Sequence, residues 1–240
     1  MLLLDPAHWF IQRYYAGFSG FEPDVQLVLR RMLKPGGTFI DCGANAGFFS
    51  VMANDVMHGT GTVIAVEANP DLLQQLNANL EANGIAHRAI HVAIASHGGV
   101  ADFFVPARVD EVGGLRPTAV FPDAEVSHLT VPASTLDDLV ARLAPERVDM
   151  IKIDIEGGEI DALRSARGTI ARHRPVLVVE YSCINWAQFG ASCRDLEALC
   201  DGWRYRICRY DVARDAPVAI EPSFWDSPYA NMVLLPEEWQ

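Results

Sequence analysis

Residues 38–50 decide the fold of this chain, and they read Thr38-Phe39-Ile40-Asp41-Cys42-Gly43-Ala44-Asn45-Ala46-Gly47-Phe48-Phe49-Ser50. The first three residues are β-branched or aromatic, which favours a strand. Gly43 and Gly47 allow the backbone to pass where a Cβ would clash, either at positive φ or against a ligand. The run from Phe48 onward has few helix breakers, so it predicts a helix whose free N–H groups face the turn. A strand, a glycine turn and a helix start in this order are typical of a site for a nucleotide-like ligand.

Strand-like and helix-like stretches alternate along the rest of the chain, which predicts an α/β fold with a doubly wound, mostly parallel sheet. A turn at residues 96–99 predicts an inserted hairpin between the third and fourth strands. The chain is interpreted as one domain over residues 1–240, with an aromatic-rich N-terminal helical or lid segment (1–34) and a Rossmann-like core (35–240). The further predicted strands are residues 62–67, 91–95, 100–105, 127–133, 148–156, 175–181, 205–210 and 231–235.

Composition limits the classes of partner. The formal net charge of −12 argues against non-specific binding of DNA or RNA, which depends on an excess of Lys and Arg. Five cysteines without a C-x-x-C pair predict reduced thiols in a cytoplasmic protein, and the seven histidines show no metal-ligand spacing, so no metal is predicted. The N-terminus lacks the basic region of a signal peptide, and no run reaches the ~20 apolar residues of a membrane span.

The turn differs from a dinucleotide fingerprint. An NAD site needs G-x-G-x-x-G, whereas this turn has only two glycines, spaced G-x-x-x-G, and Asp41 at the strand end would repel phosphates. Glu67 ends the second strand, where doubly wound folds place a carboxylate on ribose hydroxyls. Two acids around a positively charged nucleoside without phosphates fit S-adenosylmethionine (SAM). The alternatives are a helix-capping role for Asp41 and a solvated strand-end charge for Glu67.

A second group of acids follows the strand at residues 148–156. Residues 152, 154 and 156 are expected to share one face of that strand, and Glu159 begins the next helix. Asp154, at the carboxyl edge of the sheet, is the preferred catalytic residue; Glu156 is a base or acceptor-orienting group, and Lys152 keeps these carboxylates ionised or stabilises developing charge. The alternative is a structural ion-pair network.

Several segments together resemble the FkbM-type family of SAM-dependent methyltransferases. The resemblance runs in order from about Glu22 to Glu180. The matching segments are residues 36–47 (GGTFIDCGANAG), 63–70 (VIAVEANP), 93–96 (AIAS), 135–139 (TLDDL), 151–159 (IKIDIEGGE) and 175–180 (PVLVVE). Ala68 departs from the family, which often has proline there.

The resemblance implies a seven-stranded class I fold whose last strand is antiparallel, with SAM across the carboxyl ends of the first strands. It implies that the amino-acid part of SAM is held by Asp41, Gly43, Asn45 and Gly47. It further implies that Glu67 holds the ribose, that Ala93 to Ser96 lie near the adenine, and that Glu22 reaches the methionine end.

These features predict a SAM-dependent methyltransferase acting on a hydroxyl of a small molecule such as a sugar, a polyketide or another secondary metabolite. Methylation of an amide nitrogen, such as an asparagine side chain of a ribosomal peptide, is the alternative acceptor chemistry. Glu180 ends a strand at the same rim and is expected to bind the acceptor, with Glu159 and Tyr181; core packing is the alternative for Tyr181. An NAD-dependent dehydrogenase and a non-catalytic SAM-binding protein are the competing classes. The oligomeric state is not indicated by any feature.

Overall fold

The computed structural model describes residues 20–86, 89–107, 112–118, 120 and 123–239. The predicted lid at the N-terminus falls outside these residues as far as residue 19. From residue 20 onward the chain forms a central sheet with helices on both faces, joined by a smaller second sheet.

Eleven strands are formed by the described residues. They are β1 (Thr38–Cys42), β2 (Thr62–Glu67), β3 (Ile90–His91), β4 (Ala93–Ile94), β5 (Gly99–Pro106), β6 (Val126–Ser134), β7 (Met150–Ile153), β8 (Val176–Ser182), β9 (Tyr205–Asp211), β10 (Ala216–Ala219) and β11 (Tyr229–Pro236).

The described residues also form a short 3-10 helix, Pro222–Asp226, and eight α-helices. They are α1 (Pro23–Met32), α2 (Phe48–Val56), α3 (Pro70–Ala82), α4 (Leu136–Leu143), α5 (Glu159–Arg164), α6 (Arg167–His173), α7 (Cys183–Gln188) and α8 (Cys193–Trp203).

The main sheet has the strand order β10-β9-β11-β8-β7-β1-β2-β3. Strands β3, β2, β1, β7 and β8 run parallel, and β11 pairs antiparallel with both β8 and β9. The doubly wound fold and its antiparallel last strand are therefore confirmed. The sheet nevertheless has eight strands rather than seven, because Ala216–Ala219 folds back on β9 as an added edge strand.

The hairpin predicted between the third and fourth strands does not form, because the fourth strand pairs with a different partner. The third predicted strand divides at Val92, so that β3 pairs with β2 in the main sheet and β4 pairs in parallel with β6. Strand β5 then pairs antiparallel with β6 along its whole length, not with β4. The three strands form a second sheet of order β4-β6-β5, and its Phe103 and Val131 build a small core of their own.

Two helical predictions also change. The single helix expected after Gly157-Gly158 divides into α5 and α6, which meet at Ser165 and Ala166. Helix α7 follows β8 directly and was not predicted, since its six residues are too few for a periodic pattern.

Alternation along the strands gives each face of the sheet its own core. On one face Ile40, Ile64, Ile151 and Leu177 pack against α4, α5 and α8. On the other face Phe39, Val63, Met150 and Val178 pack against α1, α2 and α3. Near the carboxyl ends of the strands this second face becomes polar. The next residues that point to it are charged: Asp41, Glu67, Lys152 and Glu180.

The glycine turn between β1 and α2 is shaped by the protein itself. Gly43 has a φ of +80°, and a Cβ there would overlap the carbonyl oxygen of Asp154 and lie 2.9 Å from its carbonyl carbon. Gly47 has a φ of +90°, and a Cβ there would lie 2.7 Å from the Leu76 Cδ1. Both glycines therefore have positive φ. The atoms that a Cβ would meet belong to the chain itself: the loop after β7 at Gly43 and helix α3 at Gly47.

Replacing Gly43 by alanine is expected to destabilise the protein more than the same change at Gly59. Both glycines have positive φ, which costs an alanine ~1–2 kcal/mol, but a Cβ at Gly59 meets nothing within 4 Å. The overlap with Asp154 adds about 1–3 kcal/mol at Gly43 only. Urea unfolding of the two variants measures the difference, and equal free energies of unfolding would contradict the close approach.

Candidate active site

A buried ammonium group, Lys152, lies at the centre of the polar face. The register of the sheet pairs Lys152 with Asp41 of the adjacent strand, and only 3% of Lys152 is exposed. Its Nζ donates to the Asp154 Oδ2 at 2.6 Å and lies 5.0 Å from the centre of the Phe49 ring. Burial alone would lower the pKa of Lys152, but the carboxylates of Asp154, Asp41 and Glu22 outweigh it and raise the pKa. Lys152 is therefore charged at neutral pH.

Asp41 is 1% exposed, so it lies beneath the turn rather than on its surface. The Ser50 hydroxyl donates to its Oδ2 at 2.7 Å, while its Oδ1 accepts no hydrogen bond from the described residues. Burial raises the pKa of Asp41, and Lys152 opposes that shift. The helix-capping alternative is thus partly realised, because Ser50 belongs to α2, and one buried oxygen is still left without a donor.

Glu22 joins this group from the start of α1. It has a φ of 42°, and its Oε1 accepts from the Tyr229 hydroxyl at 3.1 Å, while no residue in the described ranges donates to its Oε2. Burial, opposed by Lys152, raises the pKa of Glu22 to about 7. Glu22 therefore lies close enough to Lys152 for the two charges to influence each other.

Three further carboxylates meet at the rim of the sheet. One oxygen each from Asp154, Glu156 and Glu180 lies within 4.8 Å of the other two. Burial and the neighbouring carboxylates raise the pKa of Glu156 to about 8 and that of Glu180 well above its ordinary value. Like charges at this spacing repel in a partly desolvated site, so the group favours binding of positive charge.

The reason predicted for this grouping was wrong. Strand β7 ends at Ile153, so residues 152, 154 and 156 do not share a strand face. Asp154 is fixed instead by its backbone N–H, which donates to the Cys42 carbonyl at 3.1 Å, and Glu156 has a φ of 61°. The left-handed backbone of Glu156 lets the loop bring the carboxylates of Asp154 and Glu156 close to Glu180. Such backbone conformations occur often at functional sites.

Glu159 has a different role from the predicted contact with an acceptor. It is fully buried, and its Oε1 accepts the N–H groups of Ile155 and Gly157 at 3.0 Å each. Its Oε2 accepts from the Trp186 Nε1 at 2.9 Å. The Glu159 side chain therefore braces the strained loop from below and does not face the rim.

Tyr181 follows its core-packing alternative. It is 5% exposed, and its ring lies edge-on to Trp186 at 5.0 Å and to Trp225 at 5.2 Å. Successive residues of a strand point to opposite faces, so Tyr181 faces away from Glu180. Glu180 therefore lies at the rim, and Tyr181 belongs to the core.

Of the predicted cofactor-binding residues, Gly43, Glu67 and Ala93 line one cleft, whereas Asp41, Asn45, Gly47 and Glu22 do not. Glu67 ends β2 with 7% exposure, and its two oxygens accept the N–H groups of Asn45 at 2.8 Å and Asn69 at 2.7 Å. These bonds fix the carboxylate at the strand tip and leave acceptor capacity, since a carboxylate offers about four lone-pair positions. The Asn45 side chain accepts from the Ala46 N–H at 2.6 Å, which shapes the turn itself.

The cleft suits the nucleoside part of SAM in its chemistry. Its walls combine the carboxylates of Glu67 and Asp154 with apolar surface. It encloses about 40 Å³ in this structure, so its walls must move apart to admit a nucleoside. Ser96 is exposed and lines a neighbouring groove with Arg116 and Phe189. The cleft is lined by Gly43, Val66, Glu67, Ala68, Val92, Ala93, Ile94, Phe103, Gly113, Leu115, Asp154 and Ile155.

Sequence reasoning missed three pairings within the site. The Tyr229 hydroxyl donates to Glu22, the Ser50 hydroxyl donates to Asp41, and the Asn185 Nδ2 donates to the Glu156 Oε2 at 3.0 Å. Each partner comes from a different element, and local spacing gives no signal for such a pairing.

Replacing Lys152 by methionine is expected to destabilise the protein by roughly 3–5 kcal/mol, because it leaves Asp41 and Asp154 without their buried counter-charge. Lys34→Met is the matched control, since Lys34 is exposed. Urea unfolding at pH 8 compares the two variants. Equal losses would show that Lys152 carries no special electrostatic role.

Glu22→Gln is expected to change how stability depends on pH. The folded-state pKa of Glu22 is raised from 4.5 to about 7, so ionisation of Glu22 destabilises the fold progressively as pH rises through that window. Glutamine stays neutral, so the variant should exceed the wild type by roughly 1–3 kcal/mol at pH 8 and match it below pH ~4.5. Urea unfolding at both pH values tests this, with the exposed Glu81→Gln as control.

The described residues contain no helix that is both long and apolar enough to span a bilayer. All five cysteines are free: Cys42, Cys200 and Cys208 are buried, Cys193 is half-buried and Cys183 is exposed.

Comparisons with known proteins agree with this geometry. The profile of the methyltransferase FkbM domain matches residues 41–210, which is more than half of the chain. No curated protein matches the sequence.

Two solved structures illustrate the likeness in fold. The methyltransferase FkbM from Methylobacillus flagellatus KT superposes with a TM-score of 0.54 at 18% identity, over 97% of this chain. This chain spans 55% of the length of that protein. The O-methyltransferase from Bacillus cereus in complex with S-adenosylhomocysteine superposes with a TM-score of 0.50 at 11% identity, over 98% of this chain and 91% of that one.

At these identities the structures show the fold alone, which is that of class I SAM methyltransferases. The family profile goes further, since it matches the glycine turn, the Lys152 strand and the rim strand β8 in one alignment. The chain belongs to the FkbM methyltransferase family, a family of enzymes that use S-adenosylmethionine as methyl donor.

Proposed function

We propose that this enzyme methylates a hydroxyl oxygen of a small molecule, such as a sugar, a polyketide or another secondary metabolite. The observation that carries the proposal is the double position of Asp154. Asp154 lines the cleft together with Glu67, and it also belongs to the carboxylate group at the rim. A methyl donor in the cleft and an acceptor at the rim would therefore meet at Asp154.

The chain's residues suit the demands of methyl transfer. SAM supplies a methyl group on a positively charged sulfur, and that sulfur becomes a neutral thioether after transfer. The protein must align the two reactants and exclude water, and alignment supplies up to ~7–11 kcal/mol. Glu67 and the turn would hold the nucleoside end, and the carboxylates beside Asp154 attract the positive sulfur end.

An acceptor hydroxyl must also lose its proton. Lys152 holds the Asp154 Oδ2 at 2.6 Å, which orients the carboxylate and leaves its Oδ1 directed to other partners. That free oxygen is the proposed proton acceptor, and a positioned base contributes roughly 10²–10⁴-fold to the rate. Glu180, 7% exposed at the same rim, is the proposed contact for the acceptor.

Asp154→Asn is expected to lower turnover by roughly 10²–10⁴-fold while SAM affinity stays within a few fold, because asparagine keeps the shape but accepts no proton. Titration calorimetry measures SAM affinity. Mass spectrometry measures transfer as the mass gain of one methylene unit in the acceptor. Asp55→Asn, on the exposed side of α2, is the matched control.

The outcomes separate the competing assignments. Loss of SAM affinity with intact turnover per bound SAM would make Asp154 a binding residue only. A mass gain located on an amide nitrogen would replace the hydroxyl acceptor by an amide. Absence of SAM binding to the wild type would contradict the proposal as a whole.

A further inference from the structure

The carboxylate triad at the rim, formed by Asp154, Glu156 and Glu180, is more than an unspecific acidic surface. Its members come from the loop after β7 and from the end of β8, two parallel strands that are neighbours in the sheet. Adjacent parallel strands bring their carboxyl ends to the same edge, so the fold itself brings these side chains together. One oxygen of each lies within 4.8 Å of the other two.

Glu180 shows that the triad has an unmet need for positive charge. Only 7% of Glu180 is exposed, yet within the described part of the chain its carboxylate accepts no hydrogen bond and forms no ion pair. A largely buried carboxyl group without a donor from the protein depends on water or a ligand for its partners. One of its oxygens lies within 4.8 Å of an oxygen of each of the other two acids, and ionised carboxylates at that spacing repel one another.

Asp154 and Glu156 each keep one oxygen for a further partner. The Asp154 Oδ2 accepts from Lys152 and the Glu156 Oε2 accepts from Asn185, whereas no described residue donates to the Asp154 Oδ1 or the Glu156 Oε1. Among the described residues, Lys152 is the only basic side chain at ion-pair distance from any of the three, and it contacts Asp154 alone. On the side away from Lys152, no positive side chain among the described residues therefore balances the negative charge of the triad.

Asn185 adds a separate observation beside the triad. Its side chain is 2% exposed, and its Oδ1 has no hydrogen-bond donor. The Oδ1 and the Nδ2 that binds Glu156 share one amide carbon, so this orphaned oxygen lies next to the Glu156 carboxylate. An unpaired buried acceptor costs about 1–3 kcal/mol, and a cation or its bound water would satisfy it.

We propose that Asp154, Glu156 and Glu180 form a binding site for a divalent cation, which would hold the oxygen of the methyl acceptor. Hard cations such as Ca²⁺, Mg²⁺ and Mn²⁺ take carboxylate oxygens as ligands. Oxygens around Ca²⁺ lie at 2.3–2.6 Å from the ion and so up to about 5.2 Å from one another, which accommodates the observed spacing. A smaller ion would draw the three side chains together by a few tenths of an ångström.

The assignment deepens the proposed hydroxyl methylation, on which it rests. A bound cation lowers the pKa of a coordinated hydroxyl and fixes its position, so the hydroxyl proton can pass to the lone pair of the Asp154 Oδ1 that the cation leaves free. The site has no linear motif, because its ligands come from two strand ends, and this explains why the search for histidine and cysteine spacing gave no metal site.

The test compares the wild type with Glu180→Gln and with the exposed Glu81→Gln, all stripped of metal with EDTA and dialysed. Titration calorimetry with Ca²⁺, Mg²⁺ and Mn²⁺, each added alone without SAM or acceptor, measures binding. One cation per chain should bind to the wild type and to Glu81→Gln. Glu180→Gln should bind more than about tenfold more weakly, because one of three charged ligands is gone.

Thermal unfolding gives a second readout that does not depend on the heat of binding. Without metal, Glu180→Gln should unfold at a higher temperature than the wild type, because it removes one of three neighbouring acids whose ionised forms repel one another. Added cation should raise the unfolding temperature of the wild type and of Glu81→Gln, and leave that of Glu180→Gln nearly unchanged.

Two results would overturn the assignment. One is the absence of binding to the wild type up to about 10 mM cation, well above the range of weak extracellular sites. The other is equal affinity in the wild type and Glu180→Gln. Methyl transfer that persists in EDTA would refute the cation site and leave hydroxyl methylation standing, whereas cation binding without any SAM binding would refute the methyltransferase proposal instead.

Discussion

A single buried ammonium group, that of Lys152, makes the polar end of this sheet compatible with folding. Alternate residues of a strand point to the same face of the sheet. The face that is apolar along most of its length therefore ends, at the carboxyl edge, in Asp41, Lys152 and Glu180. Isolated buried charges are expensive, and Lys152 offsets this cost by pairing with Asp154 and facing Asp41. The glycine turn, helix α1 and the rim are all arranged around that charge, since Ser50 and Tyr229 supply the donors that Lys152 does not.

The acids of the site divide into two groups because the chain supports them differently. Glu159 has both oxygens occupied by the loop N–H groups and by Trp186, so it acts as scaffold. That support fixes the left-handed backbone at Glu156 and turns its carboxylate outward. Asp154, Glu156 and Glu180 are then left with free oxygens at the rim, where a positively charged donor and an acceptor would meet. Structural and chemical acids thus stand only a few residues apart.

Sequence reasoning succeeded where the signal was local. The strand, turn and helix at residues 38–56, the strand ending in Glu67 and the strand ending near Lys152 were each marked by their own residues, and the order of the matching segments identified the family. It failed where partners come from distant elements. Residues 100–105 have strand character whichever neighbour they pair with, so the pairing of β5 with β6 could not be read from them. Glu159 and Glu156 are both acids in one motif, and only packing against Trp186 and Asn185 distinguishes them.

The sequence by itself determined the fold class, the cofactor and the identity of the charged residues at the carboxyl edge, because alternation, turn residues and motif order are properties of short stretches. The tertiary structure alone decided what each charge does. It showed that Gly43 is required by the approach of the Asp154 carbonyl and that Tyr181 belongs to the core. It also showed that Glu180 lies beside Asp154 and Glu156 without an ion-pair partner among the described residues. These outcomes depend on distances between strands and helices far apart in the chain, and such distances are set by the packing of the whole sheet.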